Sequence, residues 1–236
     1  NHGVSPHHPT MDYPSMTADV LHFMDDHDLA SVNLMGHSMG GKIAMWLALN
    51  HPERMNKLIV VDIAPKSYIH NFDNTIQALI DLPLAIIRHR KQAEQMLAKD
   101  IPELDYRQFL LQNLVLKGGG YHWRIDLAIF LLMASNIVAF PETKGMSPYS
   151  GRTLFVAGAN SSYLTQKDTL HLFPKALFKA IAEAGHSAGG AEGAGRRGRG
   201  RGLRLRLGGH HLQGEAERAG HRVLLVLRGC RDPPRA

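Results

Sequence analysis

A serine between two glycines is the pattern in this sequence that could carry out covalent chemistry. Ser38 stands in "VNLMGHSMGGKIAMWLAL", flanked by Gly36 and Gly40, where a short apolar run gives way to a helical one. A serine hydroxyl is a weak nucleophile until a base takes its proton and a rigid turn holds it away from the backbone. Glycines on both sides let strand and helix pass close together, with the serine at the tip of the turn. The pattern therefore predicts that Ser38 is a nucleophile.

The helix predicted from Met39 to Leu49 indicates how negative charge on an intermediate could be stabilised. Backbone N–H groups at a helix N-terminus have no intrahelical acceptor and point towards whatever lies in front of the helix. We expect the amide of Met39 to donate to an oxyanion formed on attack by Ser38.

The base and the acid that such a serine needs must come from elsewhere in the chain. His186 follows "ALFKAIAEAG", the last strand-like run, and so belongs to the carboxyl edge of the sheet, as Ser38 does. Asp62 ends the predicted strand in "VVDIAP" at the same edge and is expected to hold the imidazole. Asp168 is the second choice for the acid, and Ser161 could add a hydrogen bond to the pair.

The order of predicted elements indicates a parallel sheet with helices on its faces. Short β-prone runs alternate with helices, the latter including one around Met16 to Met24, capped by Ser15 or Thr17, and one from about Gln166 to Phe173. Residues 68–145, called the insert below, change to successive helical patterns. We therefore predict an α/β core at 1–67 and 146–186, with the insert as a helical cap over it.

The last fifty residues, 187–236, differ from the rest in composition. They hold 11 Arg and 4 acidic residues, a local charge of +7, whereas residues 1–186 carry a charge of −1. Gly and Arg dominate and few large side chains could be buried, so we predict a disordered tail. A shifted reading frame after His186 would explain the abrupt loss of lysine. Nucleic-acid binding by "RRGRGRGLRLR" is the competing interpretation of this tail.

Several motifs together give the chain a family likeness. The segments "MDYPSMTADV", "GHSMGGK", "LIVVDIAPKSY", "YHWRIDL", "LFVAGANSSYL" and "AGH" resemble the α/β-hydrolase superfamily, within it the small serine esterases of the bacterial YbfF type and their abhydrolase-11-like eukaryotic relatives. The likeness covers residues 1–186. It implies an α/β-hydrolase fold with an inserted helical cap and a carboxylesterase triad of Ser38, His186 and Asp62, with Ser161 in support.

Two departures from the family pattern qualify this expectation. Family members begin with earlier strands and a His-Gly segment that supplies a second oxyanion donor, and His2 and Gly3 belong to a different loop. The first strands of the sheet are therefore expected to be missing. In addition, the tail replaces the final helix of the family directly after His186. A catalytically impaired hydrolase remnant is accordingly an alternative to an active enzyme.

The function predicted from the sequence is hydrolysis of small carboxylic esters or thioesters with short- to medium-chain acyl groups. The triad requires no metal and no organic cofactor. A cofactor-free haloperoxidase could use a similar triad, whereas a dehalogenase would need Asp at position 38. No apolar run reaches the roughly 20 residues of a membrane span, and the single cysteine, Cys230, fits a reducing compartment. We expect a soluble cytoplasmic protein, with its oligomeric state left open.

Overall fold

A parallel β-sheet forms the centre of the molecule. The computed structural model describes residues 7–69, 72–182 and 184, and the backbone alone of residues 224–227. Within these residues the main sheet has five strands in the order β6-β5-β2-β1-β7, and every neighbouring pair is parallel. The strands are β1 (Val32–His37), β2 (Met55–Val61), β5 (Thr153–Gly158), β6 (Leu177–Ile181) and β7 (Leu224–Leu227). The predicted α/β architecture is confirmed.

Two helices pack against this sheet near its middle. Helix α1 spans Tyr13–Asp26 and helix α2 spans Met39–Asn50, directly after β1. Their apolar faces and the sheet enclose one core, in which Leu34, Ala44 and Val60 are completely buried. Because α2 follows β1 without a loop, the residue between them, Ser38, is fixed by both elements.

The N-terminal end of α1 differs from the prediction. Its cap is Asp12, whose carboxylate accepts a hydrogen bond from the Ser15 amide at 2.7 Å, so the predicted caps Ser15 and Thr17 are wrong. The helix begins earlier because Pro14 fits its first turn, where a missing N–H costs nothing. Tyr13 consequently packs into the core, with 1% of its surface exposed.

The insert contains short helices and one hairpin. The helices are α3 (Asp73–Ile80), α4 (Arg90–Met96), α5 (Leu104–Leu110), α6 (Leu127–Leu132) and α7 (Ala134–Val138). The hairpin pairs β3 (Leu114–Lys117) with antiparallel β4 (Gly120–Trp123), and we call it the glycine hairpin (residues 114–123). These two strands correct the prediction of a helical insert, in which no hairpin was expected. The insert has its own buried apolar cluster, which includes Ile76, Leu97 and Leu114. The boundaries at 68 and 145 stay a prediction.

The helix predicted from Gln166 to Phe173 is wrong in length. Only a short 3-10 helix, Gln166–Asp168, forms there, and turns follow it. The hydroxyl of Thr169 donates to the carbonyl of Gln166 at 2.8 Å, an alternative to regular helix bonding, and Pro174 disfavours helical backbone at Phe173.

The prediction of disorder over the whole tail, 187–236, is wrong for four residues. Leu224–Leu227 form β7, which pairs with β1 from Asn33 to Gly36. This pairing follows from the apolar, β-prone run "VLLVL" and from the row of backbone hydrogen-bonding groups that the edge of β1 offers. The other tail residues, with the arginine-rich segment considered for nucleic-acid binding, lie outside the described residues.

Candidate active site

Ser38 lies in a strained turn at the carboxyl end of β1. Its backbone has φ 53° and ψ −121°, a combination that residues with a side chain seldom adopt. The Ser38 amide donates to the carbonyl of Val61 at 3.1 Å, which ties the turn to the neighbouring strand β2. Ser38 itself is half-buried. The strand, turn and helix predicted around this serine are confirmed.

Close backbone packing explains the glycines of this serine turn (residues 36–42). A Cβ atom on Gly36 would lie 2.2 Å from the Gly40 carbonyl oxygen and 2.6 Å from the Gly41 nitrogen. A Cβ atom on Gly41 would lie 2.5 Å from Cγ2 of Ile63. Gly36 therefore plays the predicted role, because β1 and α2 could not meet at this distance with any larger residue. Gly41 was not among the glycines predicted to be needed at this turn.

Helix α2 begins at Met39, immediately after the serine. The Ser38 carbonyl accepts from the amides of Gly41 at 2.9 Å and Lys42 at 3.2 Å, which starts the helical hydrogen bonding. The amide of Met39 precedes these hydrogen bonds at the N-terminus of α2, where backbone N–H groups point out of the helix.

Asp62 follows β2 and lies beside the serine turn in the sheet. Its backbone amide donates to Val156 at 2.8 Å, and its carboxylate accepts from the Gly158 amide at 3.0 Å. Only 1% of the residue is exposed, and its φ of 52° turns the chain sharply after the strand. Because Ser38 is bonded to Val61, the residue before Asp62, the structure brings these two predicted site residues to one edge.

Asp168, the second choice for the acid, is engaged in other contacts. Its Oδ2 atom accepts from Lys66 Nζ at 2.8 Å and from the Thr165 hydroxyl at 2.7 Å. Burial raises the pKa of Asp168, but the hydrogen bonds and charge of these partners outweigh it and hold the pKa below its usual value. This geometry favours Asp62 over Asp168 as the partner of a histidine.

The loop after β5 carries Ser161 at the same edge of the sheet. Its hydroxyl oxygen accepts from the Tyr163 amide at 3.3 Å. In the same loop, the Asn160 amide donates to the carbonyl of Ala184 at 2.9 Å. The chain two positions before residue 186 is thus held at this edge, whereas His186 itself lies outside the described residues.

Lys42 is a buried cation that the sequence analysis passed over. It lies one helical turn after Ser38 with 2% of its surface exposed, and burial lowers its pKa to about 7. Its Nζ atom donates to the carbonyls of Val138 at 2.7 Å and Ala139 at 2.6 Å. The available signal was a lysine inside the otherwise apolar helix "MGGKIAMWLAL", where a charge needs buried partners.

Among the residues that the structure describes, no three His, Cys, Asp or Glu side chains are grouped as a metal site would need. In the same part of the chain, no helix has the length and apolar character of a membrane span.

Comparison with known proteins identifies the family to which this architecture belongs. The alpha/beta hydrolase fold family matches residues 1–189. The chain belongs to this family. An esterase from a marine microorganism superposes on this chain with a TM-score of 0.72 at 37% identity, over 78% of this chain and 74% of the esterase.

Relatives of this α/β hydrolase include enzymes named for ester cleavage. Esterase YbfF of Escherichia coli K12 is 32% identical over 190 residues, which is 79% of this chain and 72% of the esterase. The sn-1-specific diacylglycerol lipase ABHD11 of Danio rerio is 40% identical over 195 residues, 79% of this chain but 61% of the lipase. The chain thus spans about three-fifths of the length of such lipases. The resemblance stated from the sequence motifs is confirmed.

Proposed function

We propose that this protein hydrolyses carboxylic esters with Ser38 as its nucleophile. The observation that carries the proposal is the strained backbone of Ser38, held at φ 53° between β1 and α2. Backbone strain persists only where the surrounding structure enforces it, and it concentrates at functional sites. Relatives named esterase and diacylglycerol lipase support an ester as substrate.

The proposed reaction proceeds through an acyl-enzyme. His186 takes the proton of Ser38 as the oxygen attacks the ester carbonyl carbon, and the Met39 amide stabilises the oxyanion. Collapse of this intermediate expels the alcohol, which receives the proton from His186. Water, deprotonated by the same imidazole, then attacks the acyl group and restores Ser38.

Asp62 is proposed to orient the imidazole and to balance its positive charge. Its burial favours this role because a carboxylate removed from water interacts strongly with a neighbouring cation. The Gly158 amide fixes one carboxylate oxygen and thereby the direction of the other. Ser161 is proposed to support the pair from the loop after β5.

The substrates are proposed to be small esters or thioesters with short- to medium-chain acyl groups. The insert is rich in Leu, Ile and Phe and is proposed to act as a cap that supplies an apolar acyl pocket. The proposal needs no metal or organic cofactor. It retains a cytoplasmic location, which rests on the single cysteine, Cys230.

A fluorophosphonate probe and a p-nitrophenyl ester series test this function. We expect wild-type protein to be labelled and to turn over, and Ser38→Ala to abolish labelling and lower kcat by about 10⁴-fold or more. Asp62→Asn should lower kcat by about 10³- to 10⁴-fold. The matched controls are Ser162→Ala, from the exposed part of the loop after β5, and Asp168→Asn, and both should stay within a few-fold of wild type.

The labelling and turnover results distinguish an active serine hydrolase from an impaired one, and Asp62 from Asp168 as the acid. Labelling that survives Ser38→Ala would remove the hydrolase proposal, and a larger loss in Asp168→Asn than in Asp62→Asn would exchange the two acids. Folded wild-type protein that is neither labelled nor active would identify an impaired hydrolase.

A further inference from the structure

The two chain segments that connect the insert to the sheet are hydrogen-bonded to each other at one point. The Tyr68 amide, on the outgoing segment, donates to the carbonyl of Val138 on the returning segment at 3.0 Å. The Phe140 amide donates to the hydroxyl of Ser67 at 3.0 Å, in the opposite direction. We call these two hydrogen bonds, between residues 67–68 and 138–140, the crossing.

Lys42 joins the crossing to helix α2, which begins directly after Ser38. Its Nζ atom bonds the same Val138 carbonyl that accepts from Tyr68, and also the next carbonyl, Ala139. Val138 is the last residue of α7, and carbonyls at a helix C-terminus lack intrahelical donors and carry partial negative charge. A lysine ammonium supplies these carbonyls with both hydrogen-bond donors and a compensating positive charge.

Two tyrosine rings lie near the lysine ammonium. Nζ lies 4.7 Å from the ring centroid of Tyr68 and 5.5 Å from that of Tyr13, within the range of a cation–π contact. The Tyr13 hydroxyl donates to Ile137 at 2.6 Å, and the Tyr68 hydroxyl bridges the Ala64 amide and the Tyr163 carbonyl. The crossing is therefore fastened to α1, α2 and the loop after β5.

We propose that Lys42 is a positioning residue that holds the insert in register with Ser38 and so sets the affinity for the acyl group of the ester. This inference rests on the proposed function. A neutral amine still has two N–H donors, enough for both carbonyls, so the connection holds in either protonation state. Lys42 thus acts through the crossing.

Hydrogen exchange and steady-state kinetics of Lys42→Met test the proposal, with Lys117→Met, an exposed lysine of the glycine hairpin, as control. We expect the amides of Tyr68 and Phe140 to exchange at least about 10-fold faster in Lys42→Met, with the amides of β1 and β2 unchanged. KM for p-nitrophenyl butyrate and octanoate should rise about 10-fold with kcat within about 3-fold, since uniform binding is lost. Lys42→Arg should restore most of both properties.

Ser67→Ala keeps the proposal testable if Lys42→Met fails to fold. Ser67 is exposed, and this variant removes only the bond to Phe140, so KM should rise by about two- to three-fold with kcat unchanged. Unchanged exchange at Tyr68 and Phe140 in Lys42→Met, faster exchange throughout the sheet, or a fall in kcat at constant KM would overturn the proposal. A wild-type chain that cleaves no ester removes the proposed function instead, while the exchange comparison still decides whether Lys42 holds the crossing.

Discussion

The serine turn and the glycine hairpin use glycine for opposite physical reasons. In the serine turn, Gly36 is needed because a Cβ atom would lie 2.2 Å from a backbone oxygen. In the hairpin, Gly118 and Gly119 have φ of 59° and 82°, and a Cβ atom at either position would have nothing within 4 Å. The serine turn needs glycine because there is no room for a Cβ atom, whereas the hairpin needs glycine because its backbone has positive φ. Replacing glycine by alanine should therefore have different consequences in the two regions.

Each region contains a lysine, and the two lysines differ in burial. Lys42 is buried among Tyr13, Tyr68 and two carbonyls, whereas Lys117 at the end of β3 is exposed. Burial raises the pKa of Tyr68 to about 12 and that of Tyr13 further still, so both phenols stay neutral below pH 10. The deprotonation of Lys42, centred near pH 7, is therefore the titration to expect within this folded cluster below pH 10.

The largest effect should come from Gly36→Ala. The new methyl group must move backbone on α2, so we expect the free energy of unfolding to fall by about 3 kcal/mol, together with loss of fluorophosphonate labelling. Urea denaturation and labelling at equal folded fraction measure the two effects. Gly120→Ala is the control, since its Cβ would meet only a histidine nitrogen at 3.4 Å, and its cost should stay within about 0.5 kcal/mol. Equal costs in both variants would contradict the steric account.

A smaller effect, and one that depends on pH, is expected from Lys42→Met. Folding lowers the pKa of Lys42 from 10.5 to about 7, so between these values the unfolded chain binds more protons and stability rises with pH. The unfolding free energy of wild type relative to Lys42→Met should therefore be level below pH 7. Above pH 7 it should increase by up to about 1.4 kcal/mol per pH unit, which is about 2.8 kcal/mol between pH 7 and pH 9.

Urea denaturation of both proteins at pH 6, 7, 8 and 9 measures this difference. Lys117→Met, which removes an exposed lysine of the glycine hairpin, is denatured at the same four pH values as the matched control. A level difference between wild type and Lys42→Met at every pH would show that the pKa of Lys42 is not lowered.

Local patterns predicted the serine turn, whereas long-range contacts escaped prediction. "VNLMGHSMGGK" contains its own strand, turn and helix signals, so β1, Ser38 and α2 followed from neighbouring residues. Asp62 was likewise predicted to lie at the same edge as Ser38, because both residues follow the carboxyl ends of predicted parallel strands. The role of Lys42 depends on carbonyls 96 and 97 positions away, which no local pattern reveals.

The glycine hairpin, in contrast, is indicated by its own local sequence. It was not predicted because the surrounding insert was interpreted as helical. "LVLKGGGYHW" contains two β-prone runs around adjacent glycines, the sequence typical of a two-residue turn with positive φ. Short apolar runs are ambiguous between helix and strand, and the helices on either side favoured the wrong choice. The hairpin could therefore have been predicted from its local sequence. The partners of a buried charge such as Lys42 could not, because they are distant in sequence.

The smallest effect should come from the hairpin, where Gly119→Ala tests the need for conformation alone. Alanine at φ 82° is strained although space is open, so the unfolding free energy should fall by about 1 kcal/mol. The control is Gly118→Asn, because asparagine tolerates φ near 59° and is favoured at this position of such turns, which predicts a change within about 0.5 kcal/mol. Both variants should keep wild-type fluorophosphonate labelling, since the hairpin is remote in sequence from the serine turn and belongs to the insert's own cluster. A Gly119→Ala cost as large as that of Gly36→Ala would mean that the hairpin glycines are needed for space after all, and the contrast between the two regions would fail.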